Sequence, residues 1–457
     1  MRHRFGRLSF VLLGGALALS SCASPNPSGS APSGSVAPSP GAASPGYGEV
    51  VLAPGSASAV YQPNPGAIVV AIDPGHGGCL DWGVPDPRKR GAAFAEKAMN
   101  LAIALALRQQ LQDQGIVAVM TRSGDELLAG DDDPDLGCHG APFRDVNGDG
   151  SAGFVGGSPT RAHDELQARI DLVNLARADM LVSIHINSFA QDGVTLQIAA
   201  TQTFYNDETR WGASEGLRLA RLVQEKVVGA ISAMAGYDRQ DRGAEASDYY
   251  VLMPPLYVPT AERPDPKAQP ARGVLMPAVL AEVGSINLAA EQDLLLSAAG
   301  QSAIAAGLAE AIAAYLADRP LAVRYDALVD GGTAGNLTSP VPGRGPPYWL
   351  SAVPPGSLAA GLPVRLTNTG SGAWPVGLRL LVGWEASDQP YLRQAPTSLT
   401  ALAVTVPALR PGESVTLLLP LPPPAGGPRS VAWITLAQGD APFADLGSPP
   451  LQLATTP

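Results

Sequence analysis

Cysteine is almost missing: the chain has three in 457 residues. Aromatic residues make up only 5% and charged residues 16%. Beyond the extreme N-terminus no basic run is longer than the three residues Arg88-Lys89-Arg90, and the formal net charge is −11. Neutralising phosphates needs clustered Lys and Arg, so a nucleic-acid partner is excluded. A G-x-S-x-G elbow is also absent, which removes the usual serine nucleophile of α/β-hydrolases. Proline (44) and glycine (51) are plentiful, so much of the chain is linker or turn. Hydrophobic residues reach 46%, enough for one large core and one small one. The length suggests two or three domains.

Arg2, His3, Arg4 and Arg7 form a positive N-terminal region. The apolar stretch Leu8 to Leu19 follows, too short for a comfortable transmembrane helix. Leu19-Ser20-Ser21-Cys22 then resembles a bacterial lipoprotein cleavage site. The resemblance implies a signal peptide over 1–22, lipidation of Cys22 and anchoring at the extracytoplasmic face of a membrane. Ordinary signal cleavage with an incidental cysteine is the competing reading. Residues 23–66 are almost entirely Ser, Pro, Gly and Ala. They bury too little apolar area to offset chain entropy, so they read as a disordered tether. Cys79 and Cys138 remain. In an exported chain either a disulfide between them or two buried thiols fits.

From 67 to 318 short apolar runs alternate with helical segments. Ala67 to Ile72, Ile116 to Thr121, Met180 to His185, Thr203 to Tyr205 and Met276 to Val283 read as strands. Glu96 to Gln114, Leu166 to Ala176, Glu215 to Met234 and Glu291 to Ala317 read as helices. This alternation predicts an α/β domain with a mostly parallel sheet flanked by helices. Residues 319–347 read as a linker. Residues 348–457 contain strand-like runs separated by Pro and Gly turns, predicting a small all-β sandwich.

Two of the predicted strands run into histidine: Asp73-Pro74-Gly75-His76-Gly77-Gly78 and Ser183-Ile184-His185-Ile186-Asn187. The carboxyl ends of strands form the usual active-site rim of an α/β sheet. Glu96 opens a predicted helix and offers a carboxylate. Two His and one Glu are the three protein ligands of an open catalytic zinc site, with a fourth position left for water.

These segments carry a resemblance. Ile72 to Gly78, Glu96-Lys97 with Asn100, Thr121-Arg122 with Asp125, Arg169 with Asn174, Ser183 to Asn187, and Leu280-Ala281-Glu282-Val283-Gly284 with Asn287 occur in the order of one family. The domain resembles the zinc-dependent N-acetylmuramoyl-L-alanine amidases of bacterial cell-wall turnover. The resemblance implies zinc on His76, Glu96 and His185, with Glu282 as the catalytic carboxylate. It implies a peptidoglycan substrate, cut between the lactyl group of N-acetylmuramic acid and L-alanine. A catalytically inactive cell-wall binder and a zinc hydrolase of other amides are the alternatives. Each residue also has a plainer role: Glu96 as a helix-start acid, Glu282 as an ion-pair partner, Asn287 as a loop organiser. His139 and His163 read as surface residues.

The chain departs from the family at an insertion over about 126–165. Asp145, Asn147, Asp149 and Gly150 match the first half of a calcium-binding EF-hand loop. The twelfth position is Gly156 rather than Glu, so a tight acidic turn competes with calcium there. Asp238 to Pro277 is also long, and reads either as a lid or as packing over the sheet. In the C-terminal module, Asn368-Thr369-Gly370 with Trp374-Pro375 resembles an immunoglobulin-like module. Trp374 and Trp384 are expected in its core. The whole chain is read as a monomer.

Overall fold

The computed structural model describes residues 67–152, 162–208, 210–255, 270, 272–329, 332–333, 351–353, 361–385, 395–421 and 431–455. Cys22, the signal peptide, the tether and Gly156 lie outside them.

Strand β1 (Val69–Pro74) is buried along its whole length. Val70 and Ile72 enter one core, and Val69 and Ala71 a second core on the opposite face. A strand covered on both sides has to be apolar throughout, which is why its sequence does not alternate. Helix α1 (Glu96–Asp113) leads to β2 (Val117–Met120), and α2 (His163–Leu175) leads to β3 (Met180–Asn187). Strand β4 (Ala200–Tyr205), α3 (Gly216–Ser232), β5 (Gln240–Ala246) and β6 (Ala278–Ser285) follow. Helices α4 (Ala289–Leu296) and α5 (Ala298–Ala317) close the unit.

The six strands lie in the order β2-β1-β3-β6-β4-β5. Neighbours are parallel except β6 and β4, so the sheet is mixed, with four of its five pairings parallel as expected. A parallel return needs a crossover of a dozen or more residues. Between β3 and β4 the chain makes only a two-stranded ribbon, Ala190–Gln191 with Val194–Thr195, and β4 comes back reversed.

Ile103, Leu107 and Leu111 of α1 recur every fourth residue and are fully buried. Val223 and Val227 of α3, with Ile304 and Leu308 of α5, meet them in the same core. Removing one such leucine to alanine costs about 2–5 kcal/mol. The helix expected over 291–317 is two helices, bent by 80° at Ser297. The Ser297 hydroxyl accepts the Gly300 amide as a new N-cap. A serine inside an Ala-rich stretch was too weak a break to read from composition.

Strand β5 falls inside the 238–277 segment and was not expected. Its residues are exposed or half-buried and poor in β-branched types, as an edge strand tolerates. Tyr250, Val251, Leu252 and Met253 of the same segment are buried, so this apolar part packs against the domain.

The C-terminal part has two sheets. Strands β7 (Val323–Val329), β8 (Leu362–Asn368) and β10 (Ser414–Leu419) form one; β9 (Arg379–Trp384), β11 (Val431–Gln438) and β12 (Leu451–Thr455) form the other. Val364, Leu366, Trp374, Ile434 and Leu436 share the core between them. Trp384 packs at its margin. Strand β7 lies in what reads as linker, so this module starts near Val323 rather than at 348. Its alternating pattern was masked by the Pro and Gly on both sides.

The module is docked on the α/β domain. Trp433 meets Trp211 edge to face at 4.9 Å, and the Trp211 amide donates to Asp445. Buried Asp179 accepts from Arg319 and Arg324 at 2.9 Å each, at the junction.

Candidate metal centre

Three strand-end or helix-start positions converge. His76 follows β1, His185 lies on the adjacent strand β3, and Glu96 is the first residue of α1. Glu96 Oε1 lies 3.3 Å from His76 Nε2 and 3.0 Å from His185 Nδ1. One ligand atom from each of the three fits within 4.8 Å of the others. No other cluster of three His, Cys, Asp or Glu side chains with this spacing occurs among the described residues.

The local sequence explains the convergence. A Cβ on Gly75 would lie 2.2 Å from the His185 ring, so only glycine lets these strand ends approach. His76 itself has φ 62, a left-handed conformation that is uncommon outside glycine. A chain turning this way leaves its carbonyls without ladder partners. Two buried guanidiniums supply them. Arg169 donates to Pro74 O and His76 O at 2.8 Å each, and Arg122 to Pro74 O at 2.9 Å and Gly75 O at 3.0 Å. Arg169 is itself paired with Asp73 at 2.7 Å and Glu165 at 2.9 Å. Burial alone would push the Asp73 carboxyl up. Arg169, Ser183 and Thr121 more than offset it and hold it at about 2.

Asp81 was missed in the sequence. Its carboxylate lies 2.7 Å from His76 Nδ1, which turns Nε2 toward Glu96. A carboxylate on the far ring nitrogen is the common way to orient a ligating histidine. The one sequence signal was its place five residues on, in a glycine-bounded loop. The Glu96 carboxylate is fixed by Val84 N at 2.8 Å and Ile186 N at 3.0 Å. Burial opposes its charge, but the two imidazoles overcome this and hold its pKa well below the usual range.

Glu282 sits on β6, paired in register with His185 on β3 and Gln202 on β4. In-register neighbours leave the sheet on the same face. Its Oε2 is buried with no hydrogen-bond partner. Burial pushes the Glu282 carboxyl up, and the negative charge of Glu96 adds to the shift. Asn287 donates to Ser188 Oγ and Phe189 O, tying the loops after β3 and β6 together. Asn174 holds Gly273 O and Leu275 N just before β6.

A disulfide joins Cys79 and Cys138, so the insertion is bound to the His76 loop. Asp145 accepts the amides of Gly148, Asp149 and Gly150, and Asn147 accepts that of Asp149. Asp149 in turn accepts from Ser151. These acceptors close a local turn. His139 is exposed, but His163 is buried and stacks on Tyr250 at 4.5 Å, against the surface position expected.

An α/β domain that brings two histidines at or near strand ends together with a helix-start glutamate has a donor set that could hold a metal ion, as in metal-dependent hydrolases. The sequence profile described as N-acetylmuramoyl-L-alanine amidase matches residues 70–314, more than half of the chain, which belongs to that family of peptidoglycan amidases. It is 24% identical over 251 residues to the germination-specific N-acetylmuramoyl-L-alanine amidase of Bacillus subtilis (strain 168), covering 55% of this chain and 81% of that one. It is 26% identical over 196 residues to the amidase LytC of the same organism, covering 42% and 29%. Among solved structures it is similar to the catalytic domain of CwlV from Bacillus (Paenibacillus) polymyxa var. colistinus. That pair shares 26% identity over 55% of this chain and 98% of the other, with a TM-score of 0.36.

Proposed function

We propose that this amidase works through a zinc ion held by His76, Glu96 and His185, with Glu282 as general base and then general acid. The observation that carries the reading is the convergence of those three side chains within 4.8 Å. Mixed imidazole and carboxylate donors suit zinc, and three protein ligands leave a position open for water. Zinc at this site would polarise the lactyl carbonyl and lower the pKa of the attacking water. Glu282 faces the same side of the sheet as His185. Its carboxylate takes a proton from the water during attack and passes it to the departing alanine nitrogen. Burial beside Glu96 supports this role, since a carboxyl whose pKa is raised above the ordinary range is a better proton acceptor than a free carboxylate. His76, held by Asp81, keeps one nitrogen for the metal.

Under the same reading the enzyme lies outside the cytoplasmic membrane, anchored by lipid on Cys22 and extended on the 23–66 tether. The C-terminal module acts as an immunoglobulin-like spacer fixed to the catalytic domain, and the chain works as a monomer. Purified protein is incubated with muropeptides, with and without chelator. New alanine amino termini that vanish with chelator are the expected result. Muropeptide binding without release, or release that chelator leaves intact, overturns it.

A further inference from the structure

We propose that the insertion is a clamp on the metal site, holding the Gly77–Asp81 loop so that Asp81 stays aimed at His76. The inference rests on the zinc reading above, and concerns residues on the insertion that no ligand role requires.

The loop is short and contacts the site at both ends. His76 precedes it. The Gly77 amide donates to Asp81 O at 2.8 Å, so the loop closes on itself. Asp81 Oδ1 then returns to His76 Nδ1 at 2.7 Å. Among the described residues, Lys97 Nζ of α1 donates to Gly78 O, and the indole of neighbouring Trp82 donates to Cys79 O at 2.8 Å.

The insertion supplies the rest. Asp131 Oδ2 accepts the Cys79 amide at 2.6 Å, and Oδ1 accepts the Leu80 amide at 3.1 Å. Both oxygens of one carboxylate therefore hold successive amides of the loop. Gly78 has φ 63, and a Cβ there would meet Asp131 Oδ2 at 2.4 Å, so the carboxylate fits against bare backbone. The disulfide adds a covalent tie between Cys79 and Cys138, with their Cα atoms 5.7 Å apart. Cys138 is anchored by the ribbon pairing Asp132–Asp133 with Cys138–His139, and its side chain is buried. Asp131 is fixed at the foot of that ribbon, where its amide donates to Ala141 O and its carbonyl accepts the Gly140 amide. The ribbon thus grips the loop at Cys79 and Leu80, next to Asp81.

Carboxylates behind a ligating histidine are worth about 10–100-fold in metal affinity. The clamp acts through Asp81, so Asp81, Asp131 and the disulfide are positioning groups. The test measures zinc dissociation constants by competition with a chromophoric chelator, on the full chain. Asp81→Ala is expected to weaken zinc about 10–100-fold. Asp81→Asn keeps an acceptor oxygen and is expected to recover part of that loss. The Cys79→Ser/Cys138→Ser pair and Asp131→Ala are each expected to weaken zinc by about tenfold, toward the Asp81→Ala value but not beyond it. Reduction of the wild type with a phosphine gives the same shift without any mutation, which covers a variant that fails to fold. Thermal melting of each protein without metal reads general destabilisation. Lower melting with an unchanged zinc constant overturns the clamp, as does an unchanged constant on reduction. A wild type that binds no zinc, or binds it equally well as His76→Ala, overturns the site assignment instead.

Discussion

Half-buried Glu282 and fully buried Asp73 show how two carboxylates in one domain differ by their partners. Glu282 has a buried oxygen without a partner and a raised pKa. Replacing it with Gln keeps the shape and removes the proposed proton shuttle, so kcat is expected to fall by about 10²–10⁴ while bound zinc stays the same. Steady-state kinetics beside metal analysis checks this; equal loss of metal would instead make Glu282 a ligand. Asp73 accepts from Arg169, Thr121 and Ser183, and its folded pKa of about 2 lies below the ordinary 3.8. A depressed carboxyl stabilises the fold above its unfolded pKa and loses that contribution as pH falls toward the folded one. The contribution is about 2 kcal/mol, present above about pH 4 and fading toward about pH 2. Urea denaturation across that range should show the loss in the wild type and a smaller slope in Asp73→Asn. Arg169→Ala leaves Asp73 and Glu165 buried without their cation. It is expected to cost about 3–5 kcal/mol at neutral pH.

At the scale of elements, both histidine-bearing strands, the helix opening at Glu96 and the strand carrying Glu282 were legible in the sequence. The strands are continuous apolar runs and the helix is an Ala- and Leu-rich stretch that opens at Glu96. The rest depended on partners far along the chain. Strand β5 is an exposed edge with residues such as Gln240, Asp241 and Arg242, and only the neighbouring β4 makes it a strand. The reversed β4 follows from a missing crossover helix, a property of the connection and not of the strand. Arg122 and Arg169 stood in the matched segments with no role attached, since capping the carbonyls of residues 74–76 is visible only in three dimensions. Gly75 is the sharpest local test. Gly75→Ala places a methyl 2.2 Å from the His185 ring, so it should displace that imidazole and lower zinc occupancy, read by metal analysis. Full occupancy with unchanged activity would contradict the packing described here.

At the scale of the whole molecule, the described residues form two units sharing one buried seam. Trp211, Met276, Trp433 and Ala444 belong to a single apolar cluster that includes the sheet face under α2. The sequence suggested a module at the end of a linker, because Pro and Gly surround β7. The structure places Arg319 and Arg324, before and within β7, on Asp179 of the catalytic domain instead. Trp433→Ala is expected to cost about 3–5 kcal/mol and to lower the melting of the catalytic domain with that of the module. Calorimetry reads this as one shifted transition. Two transitions, with only the module's moving, would mean the units are energetically separate.

All the chemistry proposed for this molecule requires His76, Glu96 and His185 to bind one metal ion beside Glu282. The decisive experiment is diffraction from zinc-loaded crystals, recorded on both sides of the zinc absorption edge. A single anomalous peak is expected about 2.0–2.2 Å from one atom of each of the three side chains. A peak elsewhere, or none at these residues in crystals of active protein, would refute the site.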